Sequence, residues 1–335
     1  MRLPIGLAAA IVFLGGLATA QQAKQSKPVN SGKPATTIKV DVNEMGTIRV
    51  EVDVVNILCS VRDKNGRLIA DLDKEAFIME EDGKPQKIKY FARETNLPLT
   101  IGLLVDVSRS QENLLEVERQ AGYRFFSEVL SKKDMAFLIS FGADAELLQD
   151  YTGSAEMLRD ALEELRISGG FVTPTPGTIP NQHPRGTILY DAVYLASEDM
   201  LRTEVGRKVI VVITDGVDVG SRISKSRAIE SAQRSDAIIY SIVYADPRYQ
   251  GYGNGWGTMK KMSTDTGGRV FRVSRRNTLE RIFAEIEEEM RSQYSLGYTP
   301  TNSVKDGSFR RIKVKLKQKG LKAQARKGYY AAKGG

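Results

Sequence analysis

Ile101-Gly-Leu-Leu-Val-Asp-Val-Ser-Arg-Ser110 is the stretch whose reading decides this chain. An apolar run from Ile101 to Val105 stops abruptly at Asp106, and Ser108 and Ser110 follow at alternate positions. A continuous apolar run bounded by polar residues reads as a strand buried on both faces, since a half-buried strand would alternate. Such a strand end delivers a carboxylate and two hydroxyls to one rim. Hard, oxygen-only ligands of that kind suit magnesium, manganese or calcium rather than zinc or copper. Taken alone, the five-residue pattern fits equally well a strand end whose Asp and Ser cap the next helix.

Two later stretches bear on the choice. In Gly186-Thr-Ile-Leu-Tyr-Asp-Ala-Val193 a Thr stands between a Gly and an amphipathic helix, and Val209-Ile-Val-Val-Ile-Thr-Asp-Gly216 is a second buried-strand run ending in Asp215. Doubly wound sheets place ligand sites at the carboxyl ends of their strands, so Asp106 and Asp215 share a crevice if their strands are neighbours. Together Asp106, Ser108, Ser110, Thr187 and Asp215 resemble the metal-ion-dependent adhesion site of the von Willebrand factor type A family, whose pattern is D-x-S-x-S, a distant Thr and a distant Asp. The resemblance covers roughly residues 97–293. It implies a divalent cation, magnesium first and manganese or calcium next. It also implies direct coordination by Ser108 and Ser110, with Thr187 joining according to conformation and Asp106 and Asp215 acting largely through water. An open position on the ion would then take a carboxylate from a protein partner.

From Leu97 onward strand and helix patterns alternate, which argues for an α/β fold with a doubly wound, mostly parallel sheet. Strands are expected at 100–105, 135–140, 146–150, 208–213, 237–243 and 269–273, with helices at 114–130, 155–165, 190–201, 224–235 and 279–292. The second and third strands are separated only by Gly142 to Ala145, too few residues for a parallel crossover, so that edge strand is expected to be antiparallel.

The flanks read differently. Residues 1–20 carry Arg2, an apolar span from Leu3 to Leu17 and an Ala18-Thr19-Ala20 end, the signature of a secretory signal. Export to a periplasm, a cell surface or the medium follows as an expectation. Residues 21–37 are polar, lysine-bearing and without periodicity, and read as a flexible linker. Residues 38–96 form a small β module with hairpin signals at Asp63-Lys-Asn-Gly66 and Glu81-Asp-Gly-Lys84. The sole Cys, Cys59, lies in phase with Val55, Ile57 and Val61 and reads as a buried thiol, and one Cys allows no internal disulfide.

Residues 294–335 return to β character and are expected to pair with 38–96 in a β-sandwich-like module built from both terminal segments. Residues 305–333 hold eleven Lys and Arg against Asp306 alone, more positive charge than the +8 of the whole chain. Along 309–319, Arg311, Lys313, Lys315, Lys317 and Lys319 alternate with Ile312, Val314 and Leu316. An anionic envelope surface is one partner for that cationic face, and protection of a strand edge against aggregation is the other reading. Nucleic acid is excluded by the export signal and by the lack of aromatic interleaving.

Two loops are expected to rise on the metal face. Residues 167–185 hold four prolines and the one His, His183, and residues 245–257 are rich in glycine. Phe171, Tyr249, Tyr252 and Trp256 supply the aromatic anchors of a partner-binding surface. His183 has no second His or Cys at ligand spacing, and no G-x-S-x-G elbow exists for a nucleophile, so a non-enzyme is expected. The competing classes are a metal-dependent phosphohydrolase using Asp106, which wants a second acid where Ser108 stands, and an envelope scaffold without metal-dependent binding.

Overall fold

The computed structural model describes residues 54–94, 97–168, 186–244 and 255–333. The expected leader 1–20 and linker 21–37 lie outside the described residues, as do Phe171, His183, Tyr249 and Tyr252. In chain order the first strands are β1 (Val55–Arg62), β2 (Phe77–Glu81), β3 (Lys84–Gln86) and β4 (Tyr90–Glu94). The α/β part follows with β5 (Leu99–Asp106), α1 (Leu115–Val129), β6 (Met135–Phe141), β7 (Ala145–Thr152), α2 (Ala155–Glu163), α3 (Leu189–Leu195) and β8 (Arg207–Thr214). It closes with α4 (Lys225–Arg234), β9 (Ala237–Val243), α5 (Gly255–Thr266), β10 (Val270–Arg272) and α6 (Leu279–Arg291). The last strands are β11 (Gln293–Tyr298), β12 (Phe309–Leu316), β13 (Lys322–Ala325) and β14 (Gly328–Tyr330).

The central sheet runs β10-β9-β8-β5-β6-β7, parallel except for β7, which pairs antiparallel with β6. Every residue of β5, β8 and β9 is buried, because helices cover both faces. One face packs against α1, α2 and α6 and the other against α3, α4 and α5. Full burial of each Leu, Ile or Val contributes about 1.5–3 kcal/mol, so the continuous apolar runs at 101–105 and 209–213 are what hold the sheet at the centre. Gly102 is the one gap in the β5 run, and a Cβ there would strike the ring of Phe137 on the next strand.

The terminal segments make two further four-stranded antiparallel sheets, β13-β1-β11-β4 and β14-β12-β2-β3. They close on one apolar core that includes Ile57, Cys59, Phe77, Met79, Leu296 and Ile312. The Asp82-Gly83 turn between β2 and β3 has φ of 47° and 79°, the left-handed pair that a two-residue hairpin requires. Glu289 ties this sandwich to the α/β sheet. On the last turn of α6 and fully buried, it accepts hydrogen bonds from Ser60 Oγ at 3.0 Å and Arg62 at 2.7 Å on β1 and from Arg269 at 3.2 Å.

Three sequence expectations change. The helix expected at 190–201 begins at Leu189 and passes into a π-helical turn over Ala196–Leu201. The glycine-rich stretch to Gly257 does not remain loop throughout, because α5 starts at Gly255 and carries Trp256 in its first turn. Finally, the apolar face of β12 also carries a cation. Arg310 is buried at 2 % exposure, ion-paired with Glu81, which also accepts from the hydroxyls of Tyr298 and Tyr329.

Cys59 is fully buried, and burial pushes its thiol up to about 12. Iodoacetamide at mildly alkaline pH is therefore expected to leave the folded chain unmodified and to alkylate it fully in urea. Labelling of the native protein at the same rate would contradict the buried position.

Candidate metal site

The register of the sheet assembles the rim. β5 and β8 are adjacent and parallel, with Val105 opposite Ile213, so Asp106 and the Thr214-Asp215 pair emerge side by side at the carboxyl ends. Asp106 is fully buried. Its Oδ1 accepts the Ser108 backbone N–H at 2.8 Å, and its Oδ2 accepts the Thr214 hydroxyl at 2.6 Å. Burial, and then the charge of Asp215, push the Asp106 carboxyl up to about 7, against the downward pull of Ser108 and Thr214. The Asp106 turn folds Ser108 and Ser110 towards each other, with their hydroxyl oxygens 3.0 Å apart. Ser110 is half-buried, which leaves its hydroxyl at the mouth of the crevice.

Thr187 reaches the same rim through backbone contacts. It pairs antiparallel with Val219, by N–H to O bonds of 3.0 and 2.9 Å, and the next residue, Ile188, donates to the carbonyl of Gly142 at the end of β6. Asp218 and Ser221 lock that arrangement. The N–H of Tyr190 in the first turn of α3 donates to Asp218 Oδ1 and to Ser221 Oγ, each at 3.1 Å, and the Asp191 carboxylate accepts the backbone N–H groups of Arg222 and Ile223. The helix carrying Thr187 at its head and the loop carrying Asp215 thus cap each other. Asp218 is half-buried and part of this joint. Sequence reading also missed Thr214, whose hydroxyl bridges Asp106 and the N–H of Gly216. The Thr-Asp-Gly order was the available signal for it.

The donor set fits a hard cation. The Ser108 and Ser110 hydroxyls stand in front of the Asp106 carboxylate, and the segments carrying Thr187 and Asp215 meet beside them. Among the described residues no group of three or more His, Cys, Asp and Glu is placed to hold a metal, so any ion on this rim depends on hydroxyl oxygens. Both Asp106 oxygens already accept hydrogen bonds, which suits a carboxylate that acts through water. Asp215 Oδ1 is engaged by the Val217 N–H at 2.9 Å. Of the expected partner-contacting aromatics, Trp256 alone is described. It packs half-buried against the core beneath α5, with the Arg272 guanidinium 4.8 Å from its ring centre, so it is a wall of the rim rather than a loop tip.

No protein-family model matches the sequence, and no curated protein matches it significantly. Among solved structures it is similar to an aerotolerance-related membrane protein from Bacteroides fragilis, at 18 % identity over 57 % of this chain and 98 % of that one, TM-score 0.42. It is also similar to the vWF domain of the type V pili tip protein Mfa5 from Porphyromonas gingivalis, at 14 % identity over 58 % and 95 %, TM-score 0.43. A third is proximal thread matrix protein 1 from the mussel byssus, solved with a zinc-occupied MIDAS motif, at 14 % identity over 63 % and 50 %, TM-score 0.45. The β10-β9-β8-β5-β6-β7 order with a single antiparallel edge strand is a doubly wound α/β sheet, the architecture that the resemblance to the type A family implies.

Proposed function

We propose that this is an exported adhesion-type protein whose type A sheet holds a divalent cation, magnesium first, and uses it to capture a carboxylate from a protein partner. The observation that carries the reading is the pair of Ser108 and Ser110 hydroxyls, 3.0 Å apart in front of the buried Asp106. Ser108, Ser110 and Thr187 would hold the ion directly. Asp106 and Asp215 would orient its water and balance its charge. Neutral direct ligands leave a bound cation short of negative charge, so an incoming carboxylate is the favoured last ligand. Phe171, Tyr249 and Tyr252 remain proposed contacts for the partner.

The enzyme reading gains no support from the geometry. An aspartyl nucleophile needs an exposed oxygen, whereas Asp106 is fully buried with both oxygens engaged. The leader at 1–20 is the proposed route of export.

The test is thermal unfolding of residues 21–335 in chelator and then in excess magnesium, manganese or calcium, beside Ser108→Ala/Ser110→Ala. An ion at about a hundred times its dissociation constant adds about 2.7 kcal/mol to the stability of the parent chain. The double variant is expected to melt like the parent in chelator and to ignore the ions. Equal ion responses in the two proteins would remove the site.

A further inference from the structure

We propose that the outer face of the β14-β12-β2-β3 sheet is a second docking surface, one that seats the protein on an anionic lipid bilayer. The sequence offered a competing explanation, that the lysines of β12 guard an open strand edge. An edge role reaches only Lys313 to Lys319, because β14 pairs with Phe309–Arg311 and β2 with Ile312–Leu316. It leaves out Arg311, Lys87 and the exposed apolar side chains that share their face.

The register shows what that row faces. Arg311, Lys313 and Lys315 alternate with the inward Arg310, Ile312 and Val314, and exposed Lys317 continues the outward phase. On β2, Ile78 lies opposite Lys315 and Glu80 opposite Lys313. On β3, Pro85 lies opposite Glu80, and exposed Lys87 follows in phase. Of the two acids on this side, Glu80 is paired with Lys315, whose Nζ it accepts at 2.5 Å, and Asp82 accepts only the Arg311 backbone N–H, at 2.9 Å. Arg311, Lys313, Lys317 and Lys87 outnumber it and leave a positive field. Set within it are two apolar side chains, Ile78 at 38 % exposure and Phe309 at 41 %, the latter resting on Tyr330 with ring centres 5.1 Å apart.

A broad sheet face matches a planar partner better than a groove-seeking chain. Lysine stems lie along a surface while their ammonium groups reach phosphates, and a protruding Phe enters the headgroup boundary. The attraction of each Lys or Arg to an anionic leaflet decays within a Debye length, so the face must sit flat against it. Single-stranded nucleic acid would want successive stacking platforms, and this face offers one exposed ring.

The experiment is co-sedimentation of residues 21–335, which retain every described residue and omit the apolar span 3–17. Vesicles of phosphatidylglycerol in phosphatidylcholine are compared with phosphatidylcholine alone, in chelator throughout so that the cation site takes no part. The parent is expected to bind the anionic vesicles, to release them in high salt and to ignore the neutral ones. Lys313→Glu/Lys317→Glu should lower the partition at least about tenfold, while Lys64→Glu/Lys132→Glu, with the same charge change elsewhere, should not. Phe309→Ala should weaken vesicle binding without altering retention on an anionic polymer column. Equal loss in both charge variants would mean diffuse attraction and overturn the proposal. Retention on dextran sulfate with no vesicle binding would overturn it in favour of an anionic polymer.

Discussion

Gly255→Ala is expected to abolish the cation-dependent rise in melting temperature and to cost about 1–3 kcal/mol of stability, the usual range for forcing a methyl into a packed site. Gly255 opens α5 directly above the Asp215-Gly216 turn. A Cβ there would overlap the carbonyl oxygen of Asp215 and lie 3.0 Å from the carbonyl carbon of Gly216. Both obstacles are backbone, so no side-chain rotation relieves them. The contact is matched from the other side, because Gly216 sits at φ +82° and a Cβ on it would lie 2.7 Å from the carbonyl of Gly255. Two glycines therefore let the head of α5 rest on the loop that presents Asp215. A methyl displaces that loop, and with it the Val219 bridge that fixes Thr187. The measurement is unfolding in chelator and in excess magnesium. Gly153→Ala, whose nearest neighbour would be 3.4 Å away, is the control. A parental ion response in Gly255→Ala would show that α5 does not set the position of Asp215.

That contact also marks where sequence reading stops. The apolar runs of β5 and β8 were legible because both-sided burial leaves no polar positions in them, and the short Gly142 to Ala145 link was enough to reverse β7. Asp106, Ser108, Ser110, Thr187 and Asp215 are named through the resemblance to the type A family, and their places at strand ends or ahead of a helix allow that reading. Glycines at 251–257 are ambiguous in sequence, since mobility and close approach ask for the same residue, and only the fold shows that Gly255 serves the second. The alternation leaves Arg310 unassigned, in phase with Ile312 on the apolar face, because a buried cation there needs a partner and Glu81 lies on another strand. The role of Asp218 is not legible in sequence because the N–H it accepts, that of Tyr190, lies 28 residues earlier in the chain.

Glu118 stands in sequence as one charged residue among several in α1, and replacing it has the largest expected effect on pH dependence. It falls on the buried stripe of α1 formed by Leu115, Gly122, Phe125 and Val129, is fully buried, and has no hydrogen-bond partner for either oxygen among the described residues. Burial, and then the charge of Asp106, raise its carboxyl well above the ordinary 4.5. In the unfolded chain Glu118 ionises near that ordinary value, while in the folded chain it stays protonated. Folding at neutral pH therefore takes up a proton. The stability tied to this group is complete below the unfolded value and is lost as pH rises towards the folded one, at about 1.4 kcal/mol for each pH unit. Glu118→Gln keeps the shape and is neutral at every pH. It is expected to match the parent near pH 4.5 and to gain on it progressively as pH rises towards 7. Urea unfolding in chelator across that range measures the difference, and parallel curves for the two proteins would show that Glu118 is not held neutral. Under the proposed reading a rim cation offsets the negative charge of Asp106, so magnesium is expected to flatten the slope of the parent by more than that of Glu118→Gln, in which only the share of Asp106 itself is left to remove. The acid behind the rim thus makes the ion-free chain the weaker form at neutral pH and couples occupancy of the site to the stability of the sheet that builds it.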